Sequence, residues 1–260
     1  MTKKEPEKPI TKTDFLRKTL TRAPSHKLAA INRLWARAGH PGEISSGLYY
    51  KVRHDLGIKT VWVREPVAEP SRSSSAEAPR SRGRVYQLKV TLRGVRPPIW
   101  RRIQVPDCSL ERLHEIIQVA MGWGSCHLYG FDVGPEGYTD PGSALELDME
   151  RADRVRLGDV VLGEKAKLRY TYDFGDDWDH EILVEKILPA GEGAACPQCL
   201  TGKRACPPDD VGGVWGYLDF VTVMQGPKTK RRRELLEWAG GEYDPEEFDL
   251  EAVNKVLRRM

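Results

Sequence analysis

Apolar residues in the middle of the chain recur with a period of two. In KLRYTYDFGDDWDHEILVEKIL (167–188), Leu168, Tyr170 and Tyr172 alternate with polar neighbours, the mark of a half-buried strand. Ile182, Val184 and Ile187 with Leu188 give a second strand. Between them DFGDDWDHE reads as a turn pivoting at Gly175, with Trp178 packed onto the sheet. Upstream, Tyr86, Leu88, Val90 and Leu92 alternate in the same way, and residues 99–105 (IWRRIQV) read as the antiparallel partner across a turn at 94–98. Arg93, Arg96, Arg101 and Arg102 gather there and read as a solvated hairpin end.

The period then lengthens. Ser109 is placed to cap a helix with Leu110, Leu113, Ile116, Ile117, Ala120 and Met121 on one stripe, ended by Trp123 and Gly124. Residues 127–133 (HLYGFDV) return to a strand, 134–154 read as a long loop, and 155–162 as a short element. A second loop is expected over 191–213, followed by helices over 217–225, 228–239 and 250–259, the last capped by Asp249. Strands first and helices after predict an α+β fold with a largely antiparallel sheet and C-terminal helices over 84–260.

The first 66 residues follow a different pattern. Residues 1–10 are polar, with two prolines, and are expected to be a disordered tail. Residues 11–66 predict a small all-helical domain of three short helices. One runs over 13–20 with a capping-box-like start at Thr11. The next is capped by Ser25, has Leu28, Ile31, Leu34, Trp35 and Ala38 at helical spacing, and ends at Gly39. The third starts at Ser45 or Ser46 and stops at Gly57, with Leu48, Tyr49, Val52 and Leu56 inward. Residues 67–83, rich in Ser, Pro, Ala and Arg with no large aromatic, predict a flexible linker.

Charge sharpens this division. Residues 1–66 carry 14 Lys/Arg against 6 Asp/Glu, a net of +8, and residues 84–260 carry 24 against 30, a net of −6. A basic trihelical head fits a helix-turn-helix unit that meets nucleic acid. Lys51 and Arg53 would contact phosphates, and Tyr50 and His54 sugar or base edges. A helical bundle with a solvated basic face accounts for the same residues. No apolar run is long enough for a membrane span, and the charged start MTKKEPEKPITK has no apolar core of a secretory signal. Five cysteines, two of them in a CxxC, suit a reducing cytoplasm.

Several motifs occur in a recognisable order: YQLKVTLRGVRPPIWRRIQVP, the helix ending in MGW, HLYGF, YDFGDDWDHEI, CLTGKRACPPDDVGGVWGY and LEWAGGEYDPEEFDL. Over about residues 84–250 the chain resembles the plasmid pRiA4b ORF-3-like family. The resemblance implies a compact α+β fold and a mobile-element context beside transposases. It supplies no catalytic residues. It also implies a further cysteine where this chain has Val211, so a metal site using that position would lack one ligand here.

Two stretches carry candidate chemistry. Cys196, Cys199 and Cys206 form C-x2-C-x6-C, and a two-residue gap lets two thiolates reach one zinc ion. His180, His127 or Asp209 would complete the tetrahedron only where the fold brings one near, and Cys126 lies beside His127. Idle or buried thiols fit the same spacing. The acidic turn offers Asp173, Asp176, Asp177 and Asp179 as oxygen ligands for Mg²⁺ or Mn²⁺, with His180 as ligand or general base. A solvated turn held by Asx hydrogen bonds is the plainer account. No Walker loop, dinucleotide glycine fingerprint, GxSxG or HExxH is present. The sequence therefore points to a non-enzymatic binding protein, with a nucleic-acid-binding head and a body that takes a protein or small ligand. The alternatives are a metal-dependent nuclease or phosphoesterase using Asp173, Asp176, Asp177 and His180, and a structural scaffold.

Overall fold

The computed structural model describes residues 10–23, 28–42, 44, 48, 49, 52, 56, 83–134, 136–190 and 197–260. The expectations for Ser25, Ser45, Ser46, Tyr50, Lys51, Arg53, His54, Gly57, Cys196, residues 1–9 of the tail and residues 67–82 of the linker lie outside the described residues.

Alternation builds the body. Strands β1 (Arg84–Leu92), β2 (Trp100–Pro106), β3 (Tyr129–Val133), β4 (Glu136–Thr139), β5 (Glu150–Arg151), β6 (Lys167–Tyr172), β7 (Trp178–Pro189) and β8 (Gln198–Lys203) form one sheet in the order β5-β4-β3-β6-β7-β1-β2-β8. Every pairing is antiparallel except the short β4–β5 pair. One face is apolar: Tyr86, Leu88, Val90, Ile103, Val105, Leu168, Tyr170, Trp178, Ile182 and Val184 are all buried there. The other face is laced with ion pairs, as expected of an antiparallel sheet wetted on one side. Arg102 meets Glu185 through two nitrogens at 2.6 and 2.8 Å, Arg169 meets Asp179 at 2.9 Å, and Lys167 meets Glu181 at 3.0 Å.

Helix α3 (Leu110–Met121) covers the apolar face, after α1 (Lys12–Arg22) and α2 (Leu28–Arg37) of the head. Ser109 caps α3 by accepting from the Arg112 N–H at 3.1 Å, and the left-handed Gly122 ends it. All six residues of the expected stripe are buried. Short helices α4 (Ala144–Leu147) and α5 (Leu157–Val160) follow, then α6 (Gly213–Gln225), α7 (Lys230–Trp238) and α8 (Leu250–Leu257). Asp249 caps α8 by accepting from the Ala252 N–H at 2.9 Å.

Several local expectations are corrected. The turn is shorter than its composition suggests, because Trp178 to Glu181 already pair with β6, Trp178 opposite Tyr172 and His180 opposite Tyr170. The expected loop over 134–154 contains β4, α4 and β5, and the expected loop over 191–213 contains β8. Arg101 does not sit on a solvated hairpin end: it is 1% exposed. Its guanidinium donates to the carbonyls of Ala120, Trp100, Lys203 and Arg204 at 2.7–3.0 Å and lies 4.0 Å over the Phe248 ring. The cation thereby bonds a carbonyl at the C-terminal end of α3 and ties it to β2 and β8.

In the head, Thr11 caps α1 by accepting from the Asp14 N–H at 3.1 Å, as expected. Leu16, Leu20, Ile31, Trp35, Ile44, Tyr49 and Val52 form a cluster of their own, sharing no member with the cluster of the body. Asn32 clamps Ile44, donating to its carbonyl at 3.1 Å and accepting its N–H at 2.7 Å. His40 stacks on Trp35 at 4.1 Å. Leu34 turns outward, 37% exposed, because Ile31 and Trp35 define the buried side of α2. Leu48, Tyr49 and Val52 are helical, consistent with the expected third helix where it is described.

Candidate functional site

Three loops converge at the end of the sheet where β6 runs into β7. The first follows α3 and carries Trp123, Ser125, Cys126 and His127. The second is the acidic turn between β6 and β7, and the third is residues 207–213, which lead into α6. Specific bonds join them. The Trp123 indole N–H donates to the Pro207 carbonyl at 2.9 Å. The first loop is also tied back to α3, where the Ser125 N–H donates to the Gln118 side-chain oxygen at 3.1 Å. Asp176 accepts the Gly212 N–H at 3.0 Å, and a Cβ on Gly213 would stand 2.5 Å from the Asp176 carbonyl oxygen. Only a glycine lets these two backbones approach so closely.

The loops are conformationally special. Among the described residues seven non-glycine positions have positive φ, and four of them, Ser125, Asp173, Asp177 and Asp210, lie in these loops. Local turn bonds hold the second loop. Asp173 Oδ1 accepts from the Gly175 N–H at 2.7 Å, and the Asp173 carbonyl accepts from the Asp177 N–H at 2.7 Å. The Asx turn expected here is therefore present.

The convergence brings His127 among carboxylates. Its Nε2 lies 3.8 Å from Asp173 Oδ2 and 3.4 Å from Asp210 Oδ1. That nitrogen is buried and makes no hydrogen bond. Ligand atoms of His127, Asp173 and Asp210 all lie within 4.8 Å of one another, and so do those of Cys126, His127 and Asp209. Tyr172 serves the second trio: its hydroxyl donates to Asp209 at 3.3 Å and meets the Cys126 sulfur at 3.8 Å. Burial raises the Tyr172 phenol well above its ordinary range, with the Cys126 bond and the Asp209 charge adding to the effect. Phenol 172 therefore stays a neutral donor at any physiological pH.

The residues singled out in the sequence are distributed differently. Asp173 joins the cluster, and Asp176 is committed to the Gly212 N–H. His180 is wholly buried beneath α3, its Nδ1 3.2 Å from the Tyr170 carbonyl, and burial lowers its pKa to about 4. Among the described residues, no three of Asp173, Asp176, Asp177 and His180 form a close set of ligand atoms. Cys199 is buried on β8, its thiol 3.6 Å from the Thr201 carbonyl. Burial pushes the Cys199 thiol up to about 11 and the Cys206 thiol well above its ordinary value, and the Arg101 charge opposes both shifts. Neither is a thiolate at neutral pH. Among the described residues, neither joins a close set of three metal-ligating groups. Asp210 was not singled out by sequence reasoning. Its only signal was its place in a Pro-Asp-Gly-rich stretch, which also marks any turn.

The residues of all three loops fall inside a family match. The model of the plasmid pRiA4b ORF-3-like protein matches residues 84–252. The chain belongs to the plasmid pRiA4b ORF-3-like family. A relative, the uncharacterized protein y4hQ of Sinorhizobium fredii (strain NBRC 101917 / NGR234), is 41% identical over 176 residues, covering 66% of this chain and 90% of that protein. The crystal structure of the protein of unknown function MM3350 from Methanosarcina mazei Go1 is similar with a TM-score of 0.59 and 36% identity, over 65% of this chain and 97% of that one. Both likenesses cover about two thirds of the present chain. The pRiA4b ORF-3-like fold seen here is an α+β sheet with C-terminal helices. No helix among the described residues is long and apolar enough to cross a membrane.

Proposed function

We propose that this chain is a non-enzymatic binding protein whose α+β body takes a small polar ligand at the three-loop end of the sheet. The observation that carries it is a buried, unbonded imidazole nitrogen facing Asp173 and Asp210, in loops that hold four left-handed non-glycine residues. Residues held in sparsely populated backbone regions concentrate at sites where geometry serves binding. Catalysis by the acidic turn has less support, since His180 is sealed in the core and Asp176 is occupied by backbone. The test is a titration of the ¹⁵N-labelled full chain with small carboxylates, amines and phosphates. Amide shifts are expected at residues 122–128, 173–178 and 209–213, and are expected to vanish in Asp210→Asn. Shifts confined to other parts of the protein, or unchanged in that variant, would refute the proposal.

A second reading assigns nucleic-acid binding to the head. It is supported by the net +8 of residues 1–66 and by the exposure of Arg17, Lys18, Arg22, Arg33 and Arg37 on α1 and α2. Retardation of duplex DNA by the full chain should weaken steeply with salt. It should also be lost in Lys51→Glu/Arg53→Glu. No retardation at low salt would reject it.

A further inference from the structure

We infer that the three-loop site is a metal site, in which His127 Nε2, Asp173 and Asp210 bind one divalent ion of the zinc class and leave a position open to solvent. This deepens the ligand-binding proposal above and rests on it for the ligand that fills the open position.

The distances carry the inference. An N–H···O hydrogen bond spans about 2.7–3.2 Å. His127 Nε2 stands 3.4 and 3.8 Å from its two carboxylates, so it bonds to neither, although it is buried away from water. Ligand bonds of about 2.0–2.1 Å on a tetrahedral ion place neighbouring ligand atoms about 3.3 Å apart. The separations around His127 are too long for hydrogen bonds and close to the edge of such a tetrahedron. An orphaned buried nitrogen is costly on its own; an ion at the centre of the trio would satisfy it.

The first ligands are already oriented. Asp173 spends Oδ1 on the Gly175 N–H, which leaves Oδ2 turned toward His127. The Asp173 backbone is fixed by its N–H, which donates to the Leu128 carbonyl at 2.9 Å. The His127 ring rests edge-on against Tyr172, with centroids 5.7 Å apart. Such outer bonds are what hold metal ligands in place. Charge agrees: among the described residues no Lys or Arg is in salt-bridge range of Asp173, Asp209 or Asp210. One imidazole does not balance the two carboxylates of Asp173 and Asp210, whereas a divalent cation does. The donor set decides the class, because a mixed nitrogen and carboxylate set suits zinc better than the all-oxygen shells of Mg²⁺.

Asp210 has a side chain 71% exposed, so the trio opens to solvent on its side. Three protein ligands with a free fourth position make a site that receives an outside donor. The neighbouring trio of Cys126, His127 and Asp209 is the weaker candidate, because the Tyr172 hydroxyl already engages both its sulfur and its carboxylate.

The full chain, stripped with a chelator, is titrated with Zn²⁺ calorimetrically and with Co²⁺ by visible absorption. About one ion per chain is expected, with the intense d–d bands of a four-coordinate cobalt centre. Asp210→Asn, an exposed change that leaves the fold intact, should weaken binding about tenfold or more. His127→Ala should abolish it, while Cys126→Ser and Cys199→Ser should leave the affinity unchanged. No binding would overturn the inference. Loss in Cys199→Ser would move the ion to the cysteine loop, and loss in Cys126→Ser with retention in Asp210→Asn would move it to the neighbouring trio; either result overturns it as well. The two proposals fail separately: small ligands that still shift the three loops in metal-free, metal-refractory protein would sink the ion alone. An ion bound as described, with no small ligand engaging the loops, would sink the ligand proposal alone.

Discussion

Mild acid should unfold this protein through two histidines in its core. His114 and His180 are both buried, and burial lowers each pKa from 6.5 to about 4. For His114 the nearby Asp140 opposes the shift, and for His180 Asp179 and the carbonyls of Tyr170 and Trp178 do so. The hydrogen bonds show why the neutral form is favoured. The Tyr170 hydroxyl accepts from the Gln118 amide at 2.8 Å and lies 2.8 Å from His114 Nδ1. A neutral His114 accepts the Tyr170 proton there; a protonated one would confront it with a second donor. A depressed folded-state pKa means that the stabilisation is complete above pH 6.5 and is lost as pH falls toward 4. With one pKa unit equal to about 1.4 kcal/mol, each histidine forfeits about 1.4 kcal/mol by pH 5.5 and about 2.6 by pH 4.5. The pair together lose about 5 kcal/mol by pH 4.5, comparable with the whole stability of a modest domain.

The assay is urea denaturation at closely spaced pH values from 7.5 to 5, above the range where ordinary carboxylates titrate. Wild type should lose about 2.8 kcal/mol between pH 7.5 and 5.5 from these two groups. His180→Phe removes one titration, so whatever its stability at pH 7.5, its loss over that interval should be about half as steep. Parallel stability curves for wild type and His180→Phe would refute the reasoning. So would imidazole resonances of His114 and His180 that titrate near pH 6.5 in the folded protein.

Three further outcomes follow from packing and bonding. Arg101→Met should cost about 2–4 kcal/mol in denaturant melts, because it strips the shared donor from four backbone carbonyls. Gly213→Ala should destabilise by about 1–3 kcal/mol, since its φ of +66° and the 2.5 Å approach to the Asp176 carbonyl oxygen leave no room for a Cβ, while Gly163→Ala, with nothing within 4 Å, should be nearly neutral. Asn254→Ala should cost about 1–3 kcal/mol and loosen β8, because Asn254 accepts the Cys199 N–H and donates to the Cys199 carbonyl, both at 2.8 Å, sealing the edge of the sheet; amide exchange at Cys199 reads it directly.

The central strands and α3 were legible because each declares its own period over enough residues. Even the corrections were written in that period. Extending the alternation of β7 back to Trp178 places His180 on the face of Ile182 and Val184, where it is buried. The alternation of β2 likewise places Arg101 with Ile103 and Val105. Charge argued for the surface and burial won, because four carbonyls and an aromatic ring wait for that guanidinium inside. The edge strands were not legible. In β8 only Cys199 and Leu200 are apolar, and the strand exists because β2 pairs with one of its sides and Asn254 of α8 closes the other.

The candidate site was half legible for a deeper reason. A metal-like set written within one motif, such as a pair of cysteines two residues apart, can be read locally, and that reading drew attention to Cys196, Cys199 and Cys206. The set that the fold assembles is distributed instead: one residue after α3, one at the end of β6 and one before α6. Each of the two aspartates announces only a turn, since Asp tolerates the left-handed region that Asp173 and Asp210 occupy. The two meanings share one cause. A carboxylate in a left-handed turn leaves the strand direction, and at the end of a sheet two such departures are free to face one another across a single imidazole. A core helix then sets the frame: α3 positions the first loop through Gln118 and Ser125, and the same Gln118 bonds the Tyr170 hydroxyl that holds His114. The buried network around His114 and the loop that presents His127 are therefore one connected structure, so acid that protonates His114 should disturb the loop carrying His127 before or with global unfolding.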